Sequence, residues 1–156
     1  SLNEKLINLI EYYNLINANF LLSNKPLKRM SQNPIHISAD SKLEKLNKLK
    51  KNLDNYFSKK TKKINSNIFL DGSNLQIRIW KELIKIPYGK TKSYGEIAKI
   101  VKTSPRYVGN VCGQNKHILI VPCHRVIRTD GSLGGFSSRG GLSLKKRLLN
   151  MENAKK

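Results

Sequence analysis

The chain has 156 residues, enough for one ordinary domain or for a small domain joined to a medium one. Its 30 Lys and Arg residues against 10 Asp and Glu residues give a formal net charge of +20. This charge favours a polyanionic partner, nucleic acid ahead of an anionic membrane, although lysines can also serve only to keep a protein in solution. No apolar run approaches the roughly 20 residues of a membrane span, which argues against a membrane protein.

The two cysteines, Cys112 and Cys123, are too few for a disulfide framework. The first four residues also lack the charged-then-apolar pattern of a secretory signal. Together these features predict a cytoplasmic protein whose thiols are free in a reducing environment. One of the two thiols is a candidate reactive group.

The first 70 residues are expected to form a small α/β domain that ends in a linker. The segment 6–22 is apolar and aromatic with patches of alternation, which predicts strands. Over residues 41–57, apolar residues recur at helical spacing while lysines fill the opposite face, which predicts a helix. The basic run 59–63 is interpreted as a solvated connection, with contact to phosphates as the alternative.

Residues 71–156 are expected to form a second, mostly helical domain. Ser73 and Gln76 have capping-box spacing, and they open a predicted helix that ends before Pro87 because proline cannot continue it. This helix carries an apolar stripe at helical spacing and therefore packs on a core.

Two further helix starts follow along the chain. Ser93 with Glu96 forms a second capping box, and Ser104 precedes a first-turn proline that opens a helix reaching about Cys112. Two short helices joined by a brief turn, in a basic protein, suggest a helix-turn-helix. Arg106 lies in the first turn of the second helix, where recognition helices usually contact DNA.

The remainder of the second domain is expected to be short strands and one helix. The run 118–121 predicts a buried strand that Pro122 ends. A turn at 129–132 predicts a hairpin between the short segments on either side of it. The glycine-dense loop 134–141 lets backbone approach a ligand closely, and a last helix is expected to end near Glu152.

Cys123 stands beside His124 and Arg125, a basic setting that is expected to lower the pKa of the thiol below its free value of about 8.5. A soft, nucleophilic sulfur suits attack on a saturated alkyl carbon. Neighbouring side chains on an extended strand point to opposite faces, so contact between Cys123 and His124 requires a tight turn or a bridging water. The alternative is a buried structural cysteine beside a surface histidine.

The segment Pro122–Val126 resembles the active-site signature of the O6-alkylguanine-DNA alkyltransferases. Other segments resemble the same family in unbroken order over about residues 73 to 153: Trp80, Tyr88-Gly89, Ser93-Tyr94, Arg106–Gly109, Asn115, Gly134–Ser137, Gly140–Leu142, Leu148-Leu149 and Glu152. The chain departs from the family's pattern at Ser138-Arg139, which looks inserted, and at Phe136, where a tyrosine is common.

The resemblance implies an α+β fold. A small N-terminal β-sheet and helix domain, ribonuclease H-like, would precede a mostly helical domain with a helix-turn-helix and a short active-site strand and hairpin. The implied activity is direct-reversal DNA repair by a methylated-DNA–protein-cysteine methyltransferase. A damaged guanine is rotated out of the duplex through the minor groove, and its O6-alkyl group passes once to a cysteine thiolate.

The resemblance also implies the partners. The substrate would be double-stranded DNA containing O6-alkylguanine, and the protein is expected to be a monomer. No metal or cofactor is expected, because the substrate carries its own leaving group. Some family members hold zinc in the N-terminal half, but this chain has no cysteine before Cys112 and only His36 as a histidine in that half.

Carried over residue by residue, the family's pattern makes Cys123 the nucleophile and His124 a base that acts through water. Glu152 would orient the imidazole, and Tyr94 would donate a proton or hydrogen bond to the leaving guanine. The other implied residues contact DNA (Arg106, Tyr107 and Ser104), bind the substrate base (Ser137, Phe136, Gly135 and Val126) or support the site structurally (Asn115 and Arg125).

Two other functions fit parts of the sequence. A non-catalytic lesion-binding module would keep the helix-turn-helix and leave Cys123 inert. A thiol hydrolase using Cys123 and His124 would turn over, but it leaves the DNA-binding helices unexplained. For Arg106, the family pattern implies a side chain that fills the space left by the rotated base, and a plain phosphate contact is the alternative.

Overall fold

A computed structural model of the protein describes residues 39–66, 68–138 and 140–154. The chain divides into two compact units, Ser1–Asn65 and Ser66–Lys156. The predicted strands over residues 6–22, and with them the ribonuclease H-like sheet, lie outside the described residues. The division predicted after residue 70 stays a prediction. None of the helices in the described part is both long and apolar enough to cross a membrane.

In the first unit the described structure is one helix and the turn that ends it. Helix α1 spans Ala39–Phe57 and confirms the helix predicted over 41–57. Leu53 and Tyr56 are buried on one face, as the spacing requires. After the helix, Lys59 adopts a left-handed conformation with φ 60°, and the chain turns away.

The first helix of the second unit begins at a capping box. Helix α2 spans Asn74–Ile84. Gln76 donates its backbone N–H to Ser73 Oγ at 3.3 Å, and Ser73 N–H is accepted by Gln76 Oε1 at 2.7 Å, so the predicted capping box is confirmed. Trp80 on this helix donates its indole N–H to the carbonyl oxygen of Val111 at 3.2 Å.

The predicted helix-turn-helix is present. Helix α3 spans Tyr94–Val101 and helix α4 spans Pro105–Gly113. The turn between them depends on Lys102, which takes a left-handed conformation with φ 57°. The two helices pack through buried apolar side chains, which join those of α2 in one core: Ile79, Trp80, Leu83, Ile97, Ala98, Val101, Val108 and Val111.

The strands differ from the prediction. Strand β1, Lys92–Ser93, pairs in parallel with strand β2, Val126–Ile127. The run 118–121 is a turn, closed by Val121 N–H donating to the carbonyl oxygen of His117 at 2.7 Å, so the predicted strand is wrong. An apolar, β-branched run indicates that a segment is buried, but it does not distinguish a buried strand from a buried turn.

The predicted hairpin is also wrong. The turn at 129–132 exists, with Arg128 N–H donating to the carbonyl oxygen of Ser132 at 2.8 Å, but the segment after it forms no strand. Strand β2 finds its partner in β1 instead. The last helix, α5, spans Gly141–Met151 with Glu152 at its C-cap, as predicted.

Candidate active site

A short 3-10 helix, Cys123–Arg125, carries the predicted nucleophile. Pro122 precedes it, and Arg125 N–H donates to the Pro122 carbonyl oxygen at 2.9 Å. This is the tight turn that the sequence required, because an extended strand would send neighbouring side chains to opposite faces. All three side chains of the turn are buried instead.

Asn115 connects the end of α4 to this turn. Its side-chain amide donates to Cys123 Sγ at 3.1 Å and to the carbonyl oxygen of Val121 at 2.7 Å. Its Oδ1 accepts from His117 N–H at 2.9 Å. Asn115 therefore braces the local structure, as expected, and it also touches the reactive sulfur directly.

Burial raises the pKa of the Cys123 thiol above its ordinary value. The Asn115 hydrogen bond and the charge of Lys145 lower the pKa, but they do not offset desolvation. The expectation of a lowered pKa is thus wrong for the unbound protein, because Cys123 is buried, with only 4% of the residue exposed, and the His124 imidazole pairs with Glu152.

A buried group of three residues, here called the carboxylate cluster, comprises His124, Arg125 and Glu152. His124 Nε2 lies 2.8 Å from Glu152 Oε1. Arg125 donates to the same carboxylate from Nε at 3.0 Å and from Nη2 at 2.9 Å, and Gly89 N–H donates to it at 3.1 Å. The Arg125 guanidinium also donates to the carbonyl oxygen of Ile86 at 2.7 Å.

The carboxylate cluster determines how His124 can act. Burial lowers the pKa of His124 even though Glu152 raises it, so the imidazole is neutral near pH 7. With Nε2 donating to Glu152, Nδ1 carries the lone pair, and this atom is buried and has no hydrogen-bond partner among the described residues. The imidazole is therefore held in the tautomer that accepts a proton at Nδ1.

A second group, here called the lysine cluster, comprises the buried Lys145 and the partly buried Tyr94 and Phe136. Lys145 Nζ lies 3.4 Å from Tyr94 Oη and donates to the Val126 carbonyl oxygen at 2.6 Å. It also lies 5.6 Å from the centre of the Tyr94 ring and 5.9 Å from that of Phe136. Burial raises the pKa of Tyr94 to about 12.

Sequence reasoning did not identify Lys145. One signal was available, since Lys145 stands inside the apolar stripe of α5 next to Leu144 and one turn before Leu149. Lysine is almost never fully buried unless it is paired, so a lysine in a buried stripe is a candidate for a specific interaction. The second thiol, Cys112, is also part of these surroundings, and burial raises its pKa to about 12.

The predicted substrate loop approaches both α3 and α4. Tyr94 Oη donates to the carbonyl oxygen of Gly135 at 3.4 Å. A Cβ atom on Gly113 would lie 2.9 Å from Ser137 Oγ, so the absence of a side chain there lets the loop come close. The structure thus brings Gly135 to Tyr94, Ser137 to Gly113 of α4, and both Phe136 and Val126 to Lys145.

The candidate DNA-contacting residues lie at the N-terminus of α4. Ser104 caps the helix by accepting Tyr107 N–H at 3.2 Å, so its hydroxyl already serves the fold. Arg106 is exposed in the first turn, and Tyr107 is partly buried against the core. Of these three, Arg106 is the side chain that is free to reach into a duplex. Within the described residues, no three metal-ligating side chains converge.

The family model described as "6-O-methylguanine DNA methyltransferase, DNA binding domain" matches residues 74–154, more than half of the chain. The methylated-DNA–protein-cysteine methyltransferase of Sulfolobus acidocaldarius is 46% identical over 99 residues, which cover 64% of this chain and 62% of that protein. The Mycobacterium tuberculosis enzyme of the same name is 41% identical over 105 residues, covering 66% and 62%.

Solved structures agree with the sequence comparisons. The structure of Mycobacterium tuberculosis OGT in complex with DNA has a TM-score of 0.65 and 39% identity, and the match covers 69% of this chain and 67% of that one. The O6-methylguanine methyltransferase of the same organism has a TM-score of 0.61 and 40% identity, covering 68% and 64%. The chain spans less than two thirds of the length of the curated relatives. By its sequence, its fold and its cysteine turn, this chain belongs to the methylated-DNA–protein-cysteine methyltransferase family.

Proposed function

We propose that this protein repairs O6-alkylguanine in double-stranded DNA by moving the alkyl group, in a single turnover, to its own Cys123. The observation that carries the proposal is the buried Cys123 thiol directly before His124, which pairs with Glu152 and whose Nδ1 has no hydrogen-bond partner in the part of the chain that the structure describes. A helix-turn-helix on the same compact unit supplies the means to reach DNA.

In the proposed reaction, Cys123 passes its proton through one water to Nδ1 of His124. Glu152 holds the resulting imidazolium, and Arg125 keeps the carboxylate ionised by donating two hydrogen bonds to it. The sulfur then forms a bond to the alkyl carbon as the bond from that carbon to O6 breaks. The thioether has no easy route back to a thiol, so the protein is consumed.

The departing guanine accumulates negative charge, and Tyr94 is proposed to donate a proton to it. Ser137 and the backbone near Gly135 would meet the O6 edge, with Phe136 and Val126 completing the pocket around the base. Asn115 would support the sulfur through its amide. This arrangement needs neither a metal nor an organic cofactor.

DNA recognition is proposed to occur through the minor groove with rotation of the damaged nucleotide, at an unstacking cost of a few kcal/mol. Arg106 would fill the vacated space, because its planar guanidinium can stack and hydrogen-bond at once. Ser104 and Tyr107 would contact the backbone beside it. The protein would act as a monomer inside the cell, where thiols stay reduced.

The test mixes the protein with a duplex oligonucleotide containing O6-methylguanine and measures the mass of the intact protein. We expect a single permanent gain of about 14 daltons, one methylene, at Cys123 and none in Cys123→Ala. Tight binding with no gain in mass would instead support a lesion-binding module. Hydrolysis of a thiol-reactive ester with no gain in mass would support a hydrolase.

A further inference from the structure

A turn at residues 87–90, here called the 87–90 turn, lies between α2 and β1, and the reaction proposed above does not use it. Lys90 N–H closes the turn by donating to the carbonyl oxygen of Pro87 at 3.1 Å. The third residue, Gly89, has a φ of 72°, a conformation that glycine adopts without strain. Tyr88 and Gly89 are both partly buried, so this turn packs against the protein instead of projecting from it.

Gly89 contacts Glu152 of the carboxylate cluster in two ways. Its N–H donates to Oε2 of the carboxylate at 3.1 Å, which leaves Oε1 facing Nε2 of His124 at 2.8 Å. The backbones of the two residues also approach closely, since a Cβ atom on Gly89 would lie 2.9 Å from the carbonyl oxygen of Glu152. A side chain at position 89 therefore displaces the residue that carries the carboxylate.

Tyr88 contacts the same region from the other side of the turn. Its hydroxyl donates to the carbonyl oxygen of Met151, the residue directly before Glu152, at 3.3 Å. The guanidinium carbon of Arg125 lies 5.8 Å from the centre of the Tyr88 ring. Ile86, directly before the turn, accepts the 2.7 Å hydrogen bond from Arg125 Nη1. This stretch of chain thus holds both the end of α5 and the guanidinium that binds Glu152.

The position of Glu152 matters for the base, because the carboxylate acts on the charge of His124. Burial lowers the pKa of His124, and the charges of Arg125 and Lys145 lower it further. Glu152 opposes these effects by raising the pKa through its hydrogen bond and its charge. A carboxylate that moves away from the imidazole therefore leaves His124 a weaker proton acceptor.

We propose that the 87–90 turn is a positioning element for the proton acceptor of the transfer reaction, with Gly89 holding Glu152 against His124. This inference rests on the proposed function. The turn acts through the carboxylate cluster and leaves the bond changes as they are. Cys123 gives its proton to His124 through water, its sulfur bonds to the alkyl carbon, and the electron pair of the broken bond stays on guanine.

The test compares wild type with Gly89→Ala in two measurements. The first is the single-turnover rate of transfer from a saturating O6-methylguanine duplex, with the Kd of the duplex measured separately. The added Cβ moves Glu152 away from His124, so we expect transfer to slow by about tenfold, the effect of losing one hydrogen bond to a charged group. The Kd should stay unchanged, because the turn acts on the base and not on DNA binding.

The second measurement is the NMR signal of the His124 Nε2–H proton, which is downfield when the imidazole donates to a carboxylate. The chain has three histidines, and the spectrum of His124→Gln identifies the signal of this one. We expect the signal to move upfield in Gly89→Ala as the bond to Glu152 lengthens. A general loss of stability does not shift the signal of the folded protein, so this measurement separates positioning from a structural role.

Gly131→Ala is the matched control, because Gly131 also closes a turn with a positive φ, of 82°, but lies outside the carboxylate cluster. Both substitutions place alanine in a left-handed conformation and should lower the thermal midpoint alike. Only Gly89→Ala should shift the His124 signal. Tyr88→Leu tests the same idea if Gly89→Ala does not fold, and Tyr88→Phe, which keeps the ring against Arg125, should shift the signal less than Tyr88→Leu.

Three results would overturn the inference: an unshifted His124 signal in folded Gly89→Ala or Tyr88→Leu, an equal shift in Gly131→Ala, or slower transfer that is explained by a weaker Kd. Absence of transfer in the wild-type protein would instead contradict the proposed function. The two hypotheses therefore fail in distinguishable ways.

Discussion

The carboxylate cluster and the lysine cluster each contain a buried charged side chain, Glu152 in the first and Lys145 in the second, but the two charges have different surroundings. In the first, Glu152 is surrounded by donors from His124, Arg125 and Gly89, and its charge is balanced within the cluster. In the second, Lys145 has aromatic rings and carbonyl oxygens for neighbours, which do not neutralise it. A balanced carboxylate keeps its charge, whereas an unbalanced ammonium readily releases its proton. The comparison predicts that the two clusters differ in their response to pH and to the loss of a charged side chain.

The largest expected effect comes from unbalancing the carboxylate cluster. Glu152→Ala leaves the Arg125 guanidinium buried without its partner, so the free energy of unfolding should fall by about 3–5 kcal/mol. Urea unfolding measures this loss. Glu152→Gln keeps the shape of the side chain and an acceptor oxygen but removes the charge, so it should lose most of the same stability. A loss in Glu152→Gln that is much smaller than in Glu152→Ala would contradict the view that the charge of Glu152 balances the cluster.

The contribution of the lysine cluster to stability should depend on pH. Above about pH 8 the folded protein releases the Lys145 proton, whereas the unfolded chain keeps this proton up to about pH 10.4, the ordinary pKa of lysine. The unfolded state then binds more protons, so stability should rise with pH across this window, by up to about 3 kcal/mol relative to Lys145→Met. Subtracting the variant's curve removes the titration of the cysteines and tyrosines. A flat difference would mean that Lys145 keeps an ordinary pKa.

A smaller effect is expected at the Cys123 sulfur. Asn115→Leu removes the amide donor to Sγ, so the pKa of the Cys123 thiol should rise further. The rate of iodoacetamide alkylation increases with pH as the thiolate forms, and its midpoint reports this pKa. In the wild type the midpoint should lie above the roughly 8.5 of a free cysteine. An unchanged midpoint in a folded Asn115→Leu protein would show that the amide does not tune the thiol.

The smallest stability effect is expected at two matched helix caps. Ser93→Ala and Ser73→Ala each remove one capping hydroxyl, and each should cost about 1 kcal/mol in thermal unfolding. Only Ser93 positions the lysine cluster, because Tyr94 is the first residue of α3. Ser93→Ala should therefore slow alkyl transfer more than Ser73→Ala does. Equal transfer rates would show that the cap does not govern the placement of Tyr94.

The helices of the second unit were predictable because their signals are local. Ser73 with Gln76 and Ser93 with Glu96 make reciprocal hydrogen bonds across three residues, so a short stretch of sequence contains the whole interaction. The predictions of a strand at 118–121 and of a hairpin were wrong because strand pairing is not a local property. Apolar residues report burial, but the partner that makes a segment a strand lies elsewhere, as Lys92 does for Val126.

The sequence by itself determined the family, the helix boundaries and the identity of the candidate nucleophile, because these depend on residue order and on contacts within one helical turn. Only the tertiary structure decided how the thiol is surrounded. Glu152 meets His124 and Arg125 from 27 or 28 positions away, and Lys145 reaches Tyr94 across 51. Burial raises the pKa of the Cys123 thiol and lowers that of Lys145, and burial is a property of the packed chain rather than of any segment.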